Sequence, residues 1–157
     1  MTLPVTPSDA LSETCAHLRA ALPGDVISAE IVRGELVATV KRTSIVKVVT
    51  YLRDDTVCAF TQLIDICGVD YPELADRFDV VYHFLSMKKN TRIRLKLTVG
   101  EDTPVPSLTD VYPSADWLER EVWDMYGVFF SGHPDLRRIL TDYGFDGHPL
   151  RKDFPLT

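Results

Sequence analysis

Residues 78–99, FDVVYHFLSMKKNTRIRLKLTV, decide how the chain folds. From Thr91 to Val99, the apolar residues Ile93, Leu95, Leu97 and Val99 alternate with Arg92, Arg94, Lys96 and Thr98. Successive side chains of a strand point to opposite faces, so this alternation specifies one core face and one wet, basic face. The preceding run, Phe78–Met87, is apolar and aromatic and pairs with it as a β-hairpin. Lys88 and Lys89 extend the basic stripe. A basic sheet face is one footprint of nucleic-acid binding, but no aromatic residue is interleaved on it to stack bases. The stripe is therefore expected to be solvated or to meet an acidic partner, with no nucleic acid bound.

Upstream, DVISAEIV and ELVATVK are β-rich runs joined by Arg33-Gly34, a second hairpin. Residues 43–55, TSIVKVVTYLRDD, carry Ile45, Val48, Val49 and Leu52 at helical spacing behind Thr43 or Ser44 as cap, and predict a helix. Residues 8–22 predict another, capped by Ser8, with Leu11, Cys15, Leu18 and Leu22 on one face and Pro23-Gly24 as the stop. His17 is expected to pack at the surface. Residues 57–69, VCAFTQLIDICGV, predict a long strand. The fold class that follows is α+β: a mostly antiparallel sheet of about five strands with helices on one side. Residues 1–127 form the core domain, and 128–157 an irregular C-terminal tail.

The composition sets wide bounds. With 157 residues, 45% apolar and 25% charged, the chain makes one globular domain of net charge −6. No apolar run is long enough to cross a bilayer, and MTLPVTPSDALSET lacks the pattern of a signal peptide. A cytosolic protein, or one docked on a membrane-bound assembly, is expected. Cys15, Cys58 and Cys67 lack CxxC spacing, which points to reduced thiols rather than a metal or redox site.

The charge-dense part is residues 115–138. Ser114 caps a helix over ADWLEREVWDMY that Gly127 ends. At 100° per residue, Arg120, Asp124 and Gly127 share a polar wedge, while Glu119 and Glu121 interrupt apolar surface. A buried carboxylate needs a partner, and the cations on hand are Arg137, Arg138, Arg151 and Lys152. Either the tail folds back, or a partner protein supplies the base. Two residues apart on a helix, Glu119 and Glu121 point away from each other and cannot flank one substrate. Glu121 with His133 gives too few ligands for a metal. From Val128 on, aromatic content without periodicity describes a segment that takes its order from a surface. His133 and His148, in twin Gly-His-Pro turns, are expected to bond backbone.

Glu119-Arg120-Glu121, Asp124-Met125-Tyr126-Gly127, Gly132-His133-Pro134, Arg137-Arg138-Ile139-Leu140 and GFDGHPLRKDFP at 144–155 together resemble one family signature. It is that of the C subunit, the thirty-kilodalton subunit, of proton-pumping NADH:quinone oxidoreductase, respiratory complex I. QLIDICGVDYP at 62–72 resembles it too. The resemblance implies a non-catalytic subunit of the hydrophilic arm with no cofactor of its own, beside the quinone-binding 49 kDa (D) subunit. FMN, iron–sulfur clusters and quinone belong to partner subunits. It implies a place on the cytoplasmic face of the bacterial inner membrane, or the matrix side in an organelle. Assembly roles would fall on Glu119, Arg120, Glu121, Asp124, Gly127, His133, Pro134, Arg137, Arg138, His148, Arg151, Lys152 and Asp153. In respiratory members the chain usually continues past the DFP segment, so truncation after Thr157 is expected, the alternative being a short member of the kind found among the photosynthetic relatives. Equivalent subunits of membrane-bound hydrogenases, formate hydrogenlyase and photosynthetic dehydrogenases share the signature. A free-standing acid/base or metal-dependent hydrolase built on Glu121 and His133 is the alternative of a different class.

Overall fold

The protein is described by a computed structural model over residues 7–141 and 145–155. Gly144 of the signature lies outside these residues. The elements are α1 (Pro7–Ala21), β1 (Val26–Val32), β2 (Glu35–Val40), α2 (Ile45–Asp54), β3 (Gln62–Asp70), β4 (Phe78–Ser86), β5 (Thr91–Val99), β6 (Val105–Pro106), α3 (Ala115–Tyr126) and β7 (Phe130–Ser131).

The central hairpin pairs Phe84 with Ile93, Tyr82 with Leu95, Val80 with Leu97 and Phe78 with Val99, and all eight side chains are buried. Around it the sheet runs β1-β2-β5-β4-β3. Every neighbouring pair is antiparallel except β2 with β5. Leu18 of α1, Val48, Val49 and Leu52 of α2 and Val122 of α3 join the same core as these strand residues, so the helices cover one face. The expected α+β arrangement is the one observed.

Local chemistry explains the joints. Arg33 (φ 51°) and Gly34 (φ 81°) both adopt the left-handed region, as a two-residue hairpin turn matched to strand twist demands. The serines expected as caps act otherwise: Ser44 donates to Asp25 Oδ1 at 2.7 Å, and Ser114 donates to the Leu63 carbonyl at 3.2 Å. Helix α1 begins at Pro7, which places Ser8 inside the helix rather than before it. His17 lies against Asp55 at 3.1 Å and stacks on Tyr51, a packing role.

Two expectations change. The strand predicted from residue 57 starts at Gln62. Asp55 Oδ1 accepts the amides of Val57 and Cys58, Phe60 N–H donates to the Leu52 carbonyl, and Ala59 takes φ 51°. That turn closes α2 and keeps Cys58 off the strand. The basic stripe is also less basic than it reads. Register brings Glu35, Asp65 and Asp79 to the face carrying Arg92, Arg94 and Lys96, and Arg94 pairs with Glu35 at 3.1 Å. Cross-strand acids of this kind are invisible to a single-strand reading.

Helix α3 packs along β3, and its approach depends on Gly68. A Cβ at Gly68 would stand 2.6 Å from the Tyr126 ring, well inside contact distance. Gly68→Ala is expected to lower unfolding free energy by about 1–3 kcal/mol through overpacking. Equilibrium urea unfolding checks this, and an unchanged midpoint would contradict the close approach.

Candidate functional site

Helix α3 presents its carboxylates to three different environments. Asp124 is fully buried, although its helical wedge reads as polar, because the tail docks on that wedge. Its carboxylate accepts the Arg138 guanidinium at 2.9 Å, the amides of Ile139, Leu140 and Thr141 at 3.1, 2.8 and 2.9 Å, and the Thr141 hydroxyl at 2.6 Å. Burial alone pushes this acid up, but the hydrogen bonds from Thr141, Arg138 and Leu140 outweigh it and hold the group far below the ordinary carboxylate range. In the same wedge Arg120 donates to the carbonyls of Arg137 and Arg138 at 3.1 and 3.2 Å, its guanidinium lying over the Trp117 ring.

The C-terminal end of α3 is a second docking point. The last carbonyls of a helix lack internal partners. Here the tail supplies them: His148 Nδ1 donates to Asp124 O at 3.0 Å, Leu150 N to Met125 O at 3.0 Å and Arg151 Nε to Tyr126 O at 2.7 Å. Gly127 turns out of the helix at φ 80°, and a Cβ there would lie 2.6 Å from Arg151 Nη2 and 2.7 Å from the His148 ring. Burial lowers the His148 pKa, consistent with a neutral ring held by a carbonyl.

The third docking point was not legible from the signature. Arg77, buried between β3 and β4, grips Asp70 with two bonds of 2.8 and 2.6 Å and reaches Glu101 at 2.7 Å and Asp153 at 3.2 Å. Asp70 also accepts the Lys152 amide at 2.9 Å. The guanidinium groups of Arg77 and Arg151 both lie over Phe78, at 5.0 and 5.2 Å. One signal was available: Asp70 falls on the same strand parity as Ile66 and Gly68, a core position for a charged residue.

Two predicted roles for the glutamates are overturned. Glu121 is exposed, and no described hydrogen bond or ion pair includes it, so it anchors no described arginine of this chain. Glu119 is fully buried but has no cation partner among the described residues. It accepts the Ser107 hydroxyl at 2.7 Å and the Leu108 amide at 3.0 Å. Of the cations expected to serve these glutamates, Arg138 goes to Asp124, Arg137 to Asp135 at 2.6 Å, and Arg151 to Tyr126 O with Glu101 at 3.6 Å. Lys152 places its ammonium over the Tyr71 ring.

The twin histidines bond backbone as expected. His133, its ring buried, lies 3.1 Å from the Asp116 carbonyl through Nε2 and accepts the Asp135 amide at 2.9 Å through Nδ1. Pro134 stands exposed in that turn. His133 Nε2 also lies 3.2 Å from Asp116 Oδ1, and Glu121 stands in solvent, so no described bond joins the Glu121–His133 pair on which the hydrolase alternative was built. A shallow cavity of about 270 Å³ lies on the open sheet face, among Glu35, Asp65, His83, Arg92 and Arg94, lined by neither residue.

Residues 38–157 match the family described as respiratory-chain NADH dehydrogenase, 30 Kd subunit. The chain belongs to that family. Among its relatives, a protein of Paramagnetospirillum magneticum is 64% identical over 151 residues, covering 96% of this chain and 76% of its own length. One of Sinorhizobium medicae is 59% identical over 150 residues, covering 96% and 75%. Both are named as the C subunit of NADH-quinone oxidoreductase. Among solved structures, a trypsin-resistant fragment (1-134) of Nqo5 superposes with TM-score 0.68 at 31% identity, covering 81% of this chain and 99% of the fragment. A chain of an archaeal membrane-bound sulfane sulfur reductase shares the fold, with TM-score 0.80 at 24% identity over 92% of this chain and 85% of that one.

Asp124→Ala is expected to cost about 3–5 kcal/mol, because it strands a half-buried guanidinium and three amides. Glu121→Ala should stay within about 0.5 kcal/mol of the parent. Denaturant unfolding at neutral pH distinguishes the two. A group whose folded pKa is depressed stabilises above its ordinary value, here 3.8, and loses that contribution as pH falls. The stability gap between the parent and Asp124→Asn should therefore narrow on acidification below about pH 4.

Proposed function

We propose that this family member is the non-catalytic C subunit of the peripheral arm of a proton-translocating NADH:quinone oxidoreductase, placed beside the quinone-binding D subunit. The observation that carries the proposal is 64% identity, over 96% of the chain, to a protein named as that subunit. The geometry supports a structural role. Asp124, Arg138, His148 and Arg151 are spent inside the chain on docking the tail, which leaves them no chemistry to perform. FMN, iron–sulfur clusters and quinone would reside in partner subunits, and NADH oxidation and quinone reduction would belong to the whole complex. The fold alone does not choose the enzyme, since it recurs in the sulfane sulfur reductase; the sequence identities to C subunits favour the NADH-linked one.

The partner-facing surface we assign to the outside of the helix–tail unit. Trp117, Phe129, Leu140 and Leu150 are all more than half exposed there. Apolar side chains gathered this way mark interaction surfaces, and Arg120, Arg137 and Glu121 supply a polar rim. No described helix is long and apolar enough to cross a membrane. Attachment to the cytoplasmic face would come through the other subunits.

Expression of the chain in a bacterium lacking its own C subunit tests this. Full-size NADH dehydrogenase should reappear on native gels with the chain incorporated. Trp117→Asp and Leu140→Asp should fold normally yet lower the assembled fraction by about tenfold, as loss of an interface anchor does. A chain that never enters the complex would overturn the proposal. Variants that assemble fully but turn over slowly would indicate a catalytic part instead.

A further inference from the structure

Glu119 is a buried carboxylate that the tail-docking scheme does not use. Both its oxygens lie within reach of Ser107 Oγ, at 2.7 and 3.0 Å, and of Leu108 N, at 3.0 and 3.3 Å. Ser107 Oγ in turn lies 3.0 Å from Thr109 Oγ1, where either hydroxyl can donate, and it accepts the Thr109 amide at 3.2 Å. Glu119 has no solvent exposure, whereas Ser107 and Thr109 are half-buried. Hydroxyl to hydroxyl, the three groups lead from the interior to the surface.

The charged surroundings offer the carboxylate nothing. On its own helix Asp116 acts on it as a like charge, the Asp116 Oδ1 itself lying 3.2 Å from His133 Nε2. From β4 the fully buried Tyr82 faces it, and the Tyr82 hydroxyl has no hydrogen-bond partner among the described residues. Beside β6, Arg42 donates to the Pro104 carbonyl at 2.9 Å, not to the carboxylate. The Tyr112 hydroxyl, further along the same connection, is bound to the Phe60 carbonyl. His133, on the turn after β7, is bound to the Asp116 backbone.

We propose that Glu119 is a proton-exchange site, taking up and releasing a proton through a relay formed by the Ser107 and Thr109 hydroxyls. In the neutral state the Glu119 carboxyl donates to Ser107 Oγ, and Ser107 donates to Thr109 Oγ1. In the ionised state both hydroxyls reverse: Thr109 donates to Ser107, Ser107 donates to Glu119, and the proton has left to solvent. Leu108 N–H donates to the carboxyl group in either state, so no heavy atom need move. Burial, the larger influence, against the bonds from Ser107 and Leu108 leaves the acid pushed up to about 7.

Proton occupancy is thereby linked to a structural joint. Residues 105–107 pair with 129–131, through β6 and β7, on the chain that leads out of α3 into the tail. A raised carboxyl pKa in the folded state contributes stability that is full below the ordinary value and is lost as pH rises through the folded one. That contribution is lost between the ordinary value of 4.5 and about 7, so it is already absent on the alkaline side of neutrality.

Carboxyl carbon-13 NMR of the full chain between about pH 4 and pH 9 tests the proposal. One glutamate resonance should titrate with a midpoint of about 7 and vanish in Glu119→Gln. Ser107→Ala removes a donor to the ionised form and should raise that midpoint. Thr109→Val takes the outer hydroxyl from both states and should move the midpoint less than Ser107→Ala, whose shift is about 0.5 to 1 pH unit. If Glu119→Gln does not fold, the larger upward movement in Ser107→Ala assigns the resonance. A Glu119 midpoint below about 5, the range of ordinary glutamates, would overturn the site. A neutral midpoint that both variants leave unmoved would overturn the relay.

Discussion

The Asp124 carboxylate holds the C-terminal half of this molecule together. Five donors converge on it from four consecutive tail residues, Arg138 to Thr141. A carboxylate so surrounded is worth burying, because each bond to a charged acceptor is stronger than a neutral one. An irregular segment, with no ladder of its own, thus gets its backbone bonds from one side chain. Once residues 138–141 are fixed, the next tail segment arrives within reach of the helix end, and then of Arg77.

The three docking points use different chemistry for one purpose. Asp124 collects amides, the open carbonyls of α3 collect donors, and Arg77 collects carboxylates from Asp70, Glu101 and Asp153. Each answers a cost that the others leave standing: a buried charge, orphaned helix carbonyls, and a guanidinium sealed under the tail. Glu119, five residues before Asp124 on α3, contrasts with it. It meets hydroxyl and amide donors without a cation, and burial raises its pKa where Asp124's is lowered. The same helix therefore carries two carboxylates whose stabilities respond to pH in opposite senses.

Much of the fold could be read from residue order. Alternation in β5, the Arg33-Gly34 turn, the helical spacing in α2 and the Gly127 stop all act within a few residues, where sequence and structure share a period. The start of β3 could not, because a side chain of the preceding turn, Asp55, draws residues 57 and 58 out of extended geometry. Nor could the neutralised basic face, which depends on cross-strand partners such as Glu35. Within the site, the family signature pointed to the right helix and included Asp124, but the helical wheel did not mark it as the buried acid. A helical wheel sorts residues by polarity and takes the polar wedge to face water. Here the tail covers that wedge, so Asp124 is buried while Glu121, set among apolar neighbours, is exposed. The surface that decides a side chain's burial was contributed from residues 137–141 and 148–151.

Amide hydrogen exchange on the chain alone, free of any partner, tests most directly whether this helix gathers its own tail. The Ile139, Leu140 and Thr141 amides should exchange far more slowly than open chain, and Asp124→Ala should return them together to open-chain rates. Open-chain exchange at these three positions in the parent would show that Asp124 does not hold the tail, and that its order has to come from another subunit.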